Sequence, residues 1–299
     1  MGRVLVIGSI TCDVTAFADR LPGRGETVLG RELTLVLGGK GANQAVAAAR
    51  AGARTAMVGH VGRDPFAEIA LAGLRDNGVE TDQVTPVDGP TGVAHIRVAD
   101  GENDIVIVPL ANDHVDAARV DQALAQAEPG DVLLLQLEIP AATTAHAARA
   151  GHEAGLLVVL DPAPAVELPE SVWADVDVVT PNETEAAAIT GETDEDAAAR
   201  WFLDRGVATV ILTLGGHGVL MATSGGSRRH DAYEVEAVDT TAAGDAFTGT
   251  LGATLAAGTP LAEAVPRAMA AGALAVTKPG ASPSLPSATE IDTFLEQRA

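Results

Sequence analysis

Short, almost uninterrupted apolar runs recur along the chain at 4–7, 132–137, 156–160, 176–179 and 210–214. Such runs predict strands buried on both faces, as in a parallel sheet. Between them lie alanine-rich stretches of helical length at 42–51, 65–76, 141–154 and 194–205. The alternation predicts a three-layer α/β/α core around a mostly parallel central sheet. Polar residues follow the runs directly: Asp13, Glu138, Asp161, Asn182 and Glu185. Ligands of open α/β sheets bind beyond the carboxyl ends of the strands, so these positions converge on a candidate site. Each taken alone reads equally well as a loop residue or a helix N-cap.

Two regions break the alternation. Residues 13–37 hold alternating segments at 14–18 and 27–35 around a Pro22-Gly23 turn. Residues 91–108 read as a hairpin, with Ala94, Ile96 and Val98 alternating ahead of Asp100-Gly101 and an apolar run at 105–108 after it. Together they predict a small β-sheet projecting as a lid. The expected organisation is a core of 1–12, 38–90 and 109–299 and a lid of 13–37 and 91–108.

Composition narrows the function. With 299 residues, 47% apolar and 20% charged, the chain can bury a large core. A formal charge of −22, with no local basic patch, argues against nucleic acid or an anionic membrane as partner. No apolar run approaches the roughly 20 residues of a membrane span, and a strand-like start predicts no cleavable leader. The one cysteine, Cys12, excludes an intrachain disulfide and suits a reducing compartment, so a cytoplasmic location is expected. Only two of the nineteen basic residues are lysines, Lys40 and Lys278, and both fall in Gly-containing loops expected to line the site.

The common nucleotide fingerprints are missing. No G-x-G-x-x-G follows the first strand, and Gly38-Gly39-Lys40 runs into Gly41 rather than completing a G-x-x-x-x-G-K-[ST] loop. The seven histidines are scattered and show no zinc spacing. What stands out is Asp239-Thr240-Thr241-Ala242-Ala243-Gly244-Asp245 ahead of a small-residue helix expected to begin around Ala246. Small residues at a helix start let backbone N–H groups approach an anion, which the helix dipole favours. An aspartate there would repel a phosphate unless it accepts the proton of an attacking hydroxyl, although an ordinary helix-start aspartate is as good a reading of this segment alone.

Residues 239–245 resemble the D-T-x-[GA]-A-G-D pattern of the ribokinase family of carbohydrate kinases, also called the PfkB family. Gly38-Gly39-Lys40-Gly41-Ala42-Asn43-Gln44-Ala45 is similar to that family's N-terminal pattern. Gln136-Leu137-Glu138, Asp161-Pro162-Ala163-Pro164-Ala165, Thr180-Pro181-Asn182-Glu183-Thr184-Glu185 and Thr213-Leu214-Gly215-Gly216-His217-Gly218-Val219 resemble ribokinase segments in the same order. The stretch 275–284 is similar to A-V-T-x-x-G-A-x-x-S. Single tripeptides carry little weight, but the ordered set spans nearly the whole chain.

The resemblance implies ATP-dependent, in-line phosphorylation of a small sugar, with D-ribose to D-ribose 5-phosphate the first expectation. It implies Asp245 as base and the backbone N–H groups of Ala242, Ala243 and Gly244 as anion hole. Asp13, Gly39, Lys40, Asn43 and Glu138 match sugar-binding positions, and Thr11 would meet a neighbouring sugar oxygen. Lys40 would also reach the γ-phosphate. Asn182 and Glu185 form an N-x-x-E pair near the phosphates and Mg²⁺, and Thr213, Gly215, Gly216 and Gly218 would line the nucleotide. Asp239, Thr241, Ala275, Lys278, Gly280 and Ser284 match K⁺-site positions, largely through backbone carbonyls. A homodimer paired through the lid is implied as well.

Two positions depart from the family pattern. Thr11 stands where Asn is common two residues before the sugar-binding aspartate, and Asp161 where the family commonly reads N-P-A-P-A. A kinase of the same fold for a nucleoside, another pentose, a ketohexose or a sugar acid is the alternative. A non-catalytic sugar or nucleotide sensor is a second, disfavoured by the presence of both Gly244 and Asp245.

Overall fold

A computed structural model of the chain describes residues 2–99 and 102–298, so the expected turn at Asp100-Gly101 lies outside the described residues. The strands are β1 (Val4–Ile7), β2 (Thr11–Ala18), β3 (Gly30–Gly38), β4 (Thr55–Val61), β5 (Val84–Pro86), β6 (Gly92–Ala99), β7 (Glu102–Val108), β8 (Val132–Leu135), β9 (Leu157–Leu160), β10 (Val178–Val179), β11 (Thr209–Thr213), β12 (Val219–Thr223) and β13 (Gly226–His230). The helices are α1 (Lys40–Arg50), α2 (Pro65–Asp76), α3 (Ala117–Leu124), α4 (Ala141–Glu153), α5 (Glu183–Thr190), α6 (Glu195–Leu203), α7 (Ala243–Ala256), α8 (Leu261–Ala275) and α9 (Ala288–Glu296).

A nine-stranded sheet runs in the order β13-β12-β11-β10-β9-β8-β1-β4-β5. It is parallel from β11 to β5, and β12 and β13 extend one edge antiparallel. The continuous apolar runs follow from burial on both faces. Val4 and Val6, with Val132 and Leu134, pack into the cluster formed with α1, α2, α7, α8 and α9. Leu5 and Ile7, with Leu133 and Leu135, pack into the opposite cluster with α3, α4 and α6.

A second sheet of four strands, in the order β3-β2-β6-β7, stands apart from the first. It is antiparallel except for the β2–β6 pair. Its β2 begins just beyond β1, and its β3 ends where α1 begins, so both sheets meet at the carboxyl end of β1.

The structure adds β4, β5, β12 and β13 to the strands expected from the apolar runs, and it moves the start of α7 from the expected Ala246 back to Ala243. Asp245 therefore lies in the first turn of that helix. Helix α7 approaches α1 through Gly249, where a Cβ would sit 2.5 Å from both the Ala47 Cβ and the Gln44 carbonyl oxygen. That close approach brings the amino-terminal turns of the two helices together. No helix of the described residues is long and apolar enough to cross a membrane.

Candidate active site

The chain enters α1 through Gly39, which holds φ at +89° and whose Cβ would lie 3.0 Å from the Thr11 nitrogen, so glycine is the residue that fits the turn. The first turn then presents Lys40, Asn43 and Gln44 at i, i+3 and i+4, along one face. Glu138 closes the start of the helix: one of its oxygens accepts from the Ser9 hydroxyl at 2.6 Å and from the Lys40 backbone N–H at 2.9 Å.

The three side chains converge on carboxylates of other elements. Asn43 Nδ2 donates to Asp245 Oδ2 at 3.1 Å, and Gln44 Nε2 donates to Asp161 Oδ2 at 2.8 Å and Asp245 Oδ1 at 3.2 Å. Lys40 Nζ lies 3.5 Å from Asp161 Oδ2 and 4.0 Å from Asp245 Oδ1. Behind them Gln136 Nε2 donates to Gln44 Oε1 at 2.6 Å. Asn43 Oδ1 is buried and has no protein partner among the described residues, which leaves an acceptor for an incoming hydroxyl or a water.

Burial and crowding of like charge set the electrostatics. Burial pushes the Asp161 carboxyl up to about 7; Lys40 opposes this while Asp245 and Glu185 add to it. Burial likewise raises Asp13 to about 6, against a hydrogen bond from Thr11 and with Glu138 and Asp245 adding. Burial alone would favour a neutral Lys40, but Asp161, Asp245, Glu138 and Glu185 outweigh it and hold the ammonium charged above its ordinary range.

The anion-hole candidates lie at the start of α7. Ala242 is left-handed at φ +59°, and the Ala243 N–H makes only a long 3.3 Å bond to the Thr240 carbonyl. The N–H groups of Gly244 and Asp245 find no backbone acceptor among the described residues, and a Cβ on Gly244 would meet nothing within 4 Å. Unsatisfied donors facing open space at a helix start form a site for an anion.

Other sequence-derived candidates have local partners. Asn182 and Glu185 make a reciprocal capping box on α5, with bonds of 2.8 and 2.9 Å, which leaves one Glu185 oxygen and the Asn182 amide nitrogen free of those bonds. Thr213 bridges to Asn182, placing the 213–218 turn beside that pair. Within the turn Gly215 has φ +51° and Gly218 φ +93°, and a Cβ at Gly218 would lie 1.9 Å from the His230 carbonyl oxygen. The Thr11 hydroxyl donates to Asp13 Oδ1 at 2.9 Å, so it holds the aspartate and keeps its own oxygen as an acceptor.

Asp239 ties the two loops of the K⁺-site positions together, accepting from the Thr241 N–H and hydroxyl and, through its other oxygen, from the Gly280 N–H at 2.8 Å. The Ala275 carbonyl accepts from the Lys278 N–H, and the Ser284 hydroxyl donates to the Ala281 carbonyl. The Lys278 ammonium pairs with Glu290 at 2.7 Å. Of the two lysines, it is Lys40 that brings its charge to the carboxylate cluster.

Ser9, Gln44 and Gln136 carry site contacts that motif reading did not assign. Gln136 was visible as a polar break in the apolar run 132–137, and Gln44 as a neighbour of Lys40 at helical spacing.

Residues 1–288 match the model of the pfkB family carbohydrate kinases. A ribokinase of Haemophilus influenzae is 40% identical over 298 residues, covering 97% of each chain. Among solved structures, a Thermotoga maritima ribokinase superposes with a TM-score of 0.92 at 35% identity, covering 99% of this chain and 100% of that one. An Arabidopsis thaliana ribokinase complexed with ribose and ATP gives 0.88 at 31% identity and 99% coverage of both.

Proposed function

We propose that this chain, which belongs to the pfkB carbohydrate kinase family and is a sugar kinase, transfers the γ-phosphoryl group of ATP to the 5-hydroxyl of D-ribose. The observation that carries the mechanism is the seat of Asp245: a buried carboxylate in the first turn of α7, held by Asn43 and Gln44, beside N–H donors that face open space. The relative complexed with ribose and ATP supports the choice of both substrates.

In this reading Asp13 and Asn43 hold sugar hydroxyls, with Gly39 meeting the sugar through the backbone of the turn into α1. Asp245 takes the proton of the attacking hydroxyl, and the N–H groups of 242–244 meet the charge that develops on the transferring group. Lys40 adds a point charge between sugar and phosphates, and the 213–218 turn lies against the nucleotide. Glu138 acts on the same site through the backbone of Lys40 and through Ser9.

The free Glu185 oxygen beside the candidate phosphate site fits Mg²⁺ held largely through its waters, and the metal would neutralise phosphate charge there. The Asp239 carboxylate, which joins the 239–241 and 275–284 segments through Thr241 and Gly280, offers a negative charge for K⁺, which would order the loop behind the anion hole. Exposed apolar residues of the small sheet, Leu33 and Leu35 on β3 and Ile105, Val106 and Ile107 on β7, support a homodimer paired through it. Sedimentation at micromolar concentration should give the mass of a dimer, and a monomer removes that reading.

A coupled ADP-release assay with ribose, 2-deoxyribose, arabinose, xylose, fructose and adenosine tests the substrate. Ribose should give the highest kcat/KM. If adenosine or a hexose exceeds it by more than about tenfold, roughly 1.4 kcal/mol of transition-state preference, the ribose assignment is wrong. No ADP release with any sugar would favour a sensor.

A further inference from the structure

Asp161 is a buried carboxylate to which the transfer chemistry above gives no part. It follows β9, is 4% exposed, and stands where the resembling family commonly has a neutral asparagine. Its Oδ2 receives Gln44 Nε2 at 2.8 Å and faces Lys40 Nζ at 3.5 Å. The same two donors face Asp245, at 3.2 and 4.0 Å. Two carboxylates thus compete for one amide and one ammonium, and arriving phosphates would compete for the ammonium too.

Of the two donors, only one is free to change partner. Gln44 Nε2 serves both carboxylates while its Oε1 accepts from Gln136 Nε2 at 2.6 Å. Turning the amide over would set an oxygen against two carboxylates. Lys40 is bonded by its backbone N–H to Glu138, but its flexible four-carbon stem leaves the ammonium able to move.

We propose that Asp161 is a positioning residue for Lys40: ionised, it holds the ammonium back from the donor phosphates, and one proton taken up by Asp161 on nucleotide binding releases Lys40 to them. The proton comes from solvent and ends on a carboxyl oxygen, leaving a neutral side chain that still accepts from Gln44, as an asparagine would. The charged groups facing Asp161 are Lys40 from α1, Asp245 from α7 and Glu185 from α5. Burial, opposed by Lys40 and aided by the two carboxylates, already places the group at about 7, and the loss of Lys40 to the phosphates together with the phosphate charge itself raises it further, so that it binds a proton above neutral pH.

The proposal rests on the reading of the α7 start as a phosphate site, and its test separates the two. Binding of a non-hydrolysable ATP analogue with Mg²⁺ is followed calorimetrically at pH 8 in buffers of different ionisation enthalpy, for the wild type and Asp161→Asn. The wild type should take up close to one proton more than the variant. Its KM for ATP should rise by up to about tenfold per pH unit above pH 7, while that of Asp161→Asn stays flat. Equal proton uptake, or parallel pH profiles, overturns the role of Asp161 and leaves the phosphate site standing. Absence of any nucleotide binding removes both. A wild-type KM for ATP that does not change between pH 7 and 9 is alone enough to overturn it.

Discussion

Asn43 Nδ2 donates to Asp245 Oδ2 at 3.1 Å, joining residues 202 positions apart in the chain and the first turns of two helices. With Gln44 on the other oxygen, the carboxylate is held from two sides. Such a group has a fixed direction in which to receive a proton. Asp245→Asn keeps the size but removes the base, and it sets an NH₂ against one of the two amide donors. Turnover should fall by at least about 10²-fold, with sugar affinity by calorimetry changed far less. Near-normal turnover would dismiss Asp245 as the base.

Ala242 takes a left-handed conformation at φ +59° immediately before α7, in the turn that leads into the helix start. For an L-residue this costs about 1–2 kcal/mol. Ala242→Gly removes that strain but adds freedom to the unfolded chain, so stability should stay within about 1 kcal/mol and turnover should persist. Ala242→Val brings a β-branched side chain to the same φ and should cost about 1–3 kcal/mol, with a fall in kcat larger than any change in sugar KM. Thermal melts and steady-state kinetics on both variants check this, and a Val variant indistinguishable from wild type would show that the turn does not depend on its geometry.

That left-handed alanine also marks where reading the sequence stops. Alanine rarely adopts this conformation, so nothing at position 242 signals that α7 begins at Ala243. The runs at 4–7 and 132–137 were legible because every residue of β1 and β8 is buried between two helix layers. Strand β4 was not, because Thr55, Gly59 and His60 interrupt its apolar pattern although the whole strand is buried. In the site, the spacing of Lys40, Asn43 and Gln44 shows a shared helix face. Their partners were not readable, since they depend on α7 closing on α1 through Gly249.

Asp239 accepts three hydrogen bonds, and no Lys or Arg pairs with it among the described residues. Burial would raise its carboxyl, but the bonds from Thr241 and Gly280 outweigh it and hold the group below the ordinary carboxylate range. An ionised carboxylate that joins two loops and has no protein cation paired with it is suited to a monovalent cation. Activity should therefore rise several-fold in K⁺ over choline at equal ionic strength, with the larger effect in kcat because the cation would order the anion-hole loop. Identical rates in the two salts would count against a cation at Asp239.

Thr11 and Asp13 point to the same side of β2, and the Thr11 hydroxyl donates to Asp13 at 2.9 Å. A hydrogen bond to the charged form lowers a carboxyl's pKa, so Thr11 opposes the burial that brings Asp13 to about 6. Thr11→Val keeps the shape and removes the bond. The Asp13 pKa then moves up, and the ionised acceptor needed for sugar hydroxyls is lost at a higher pH than in the wild type. The rise in ribose KM on acidification should shift to higher pH, with the variant near wild type at pH 8.5 and several-fold weaker at pH 6.5. Thr11→Asn gives a longer arm with donor and acceptor, able to donate to a sugar oxygen when the threonine hydroxyl's one proton is committed to Asp13. It should raise kcat/KM for ribose relative to 2-deoxyribose, because a site built to bond a hydroxyl penalises its absence. Profiles of KM against pH for the three proteins decide the matter: if Thr11→Val leaves the profile in place, the Thr11–Asp13 bond has no part in sugar binding.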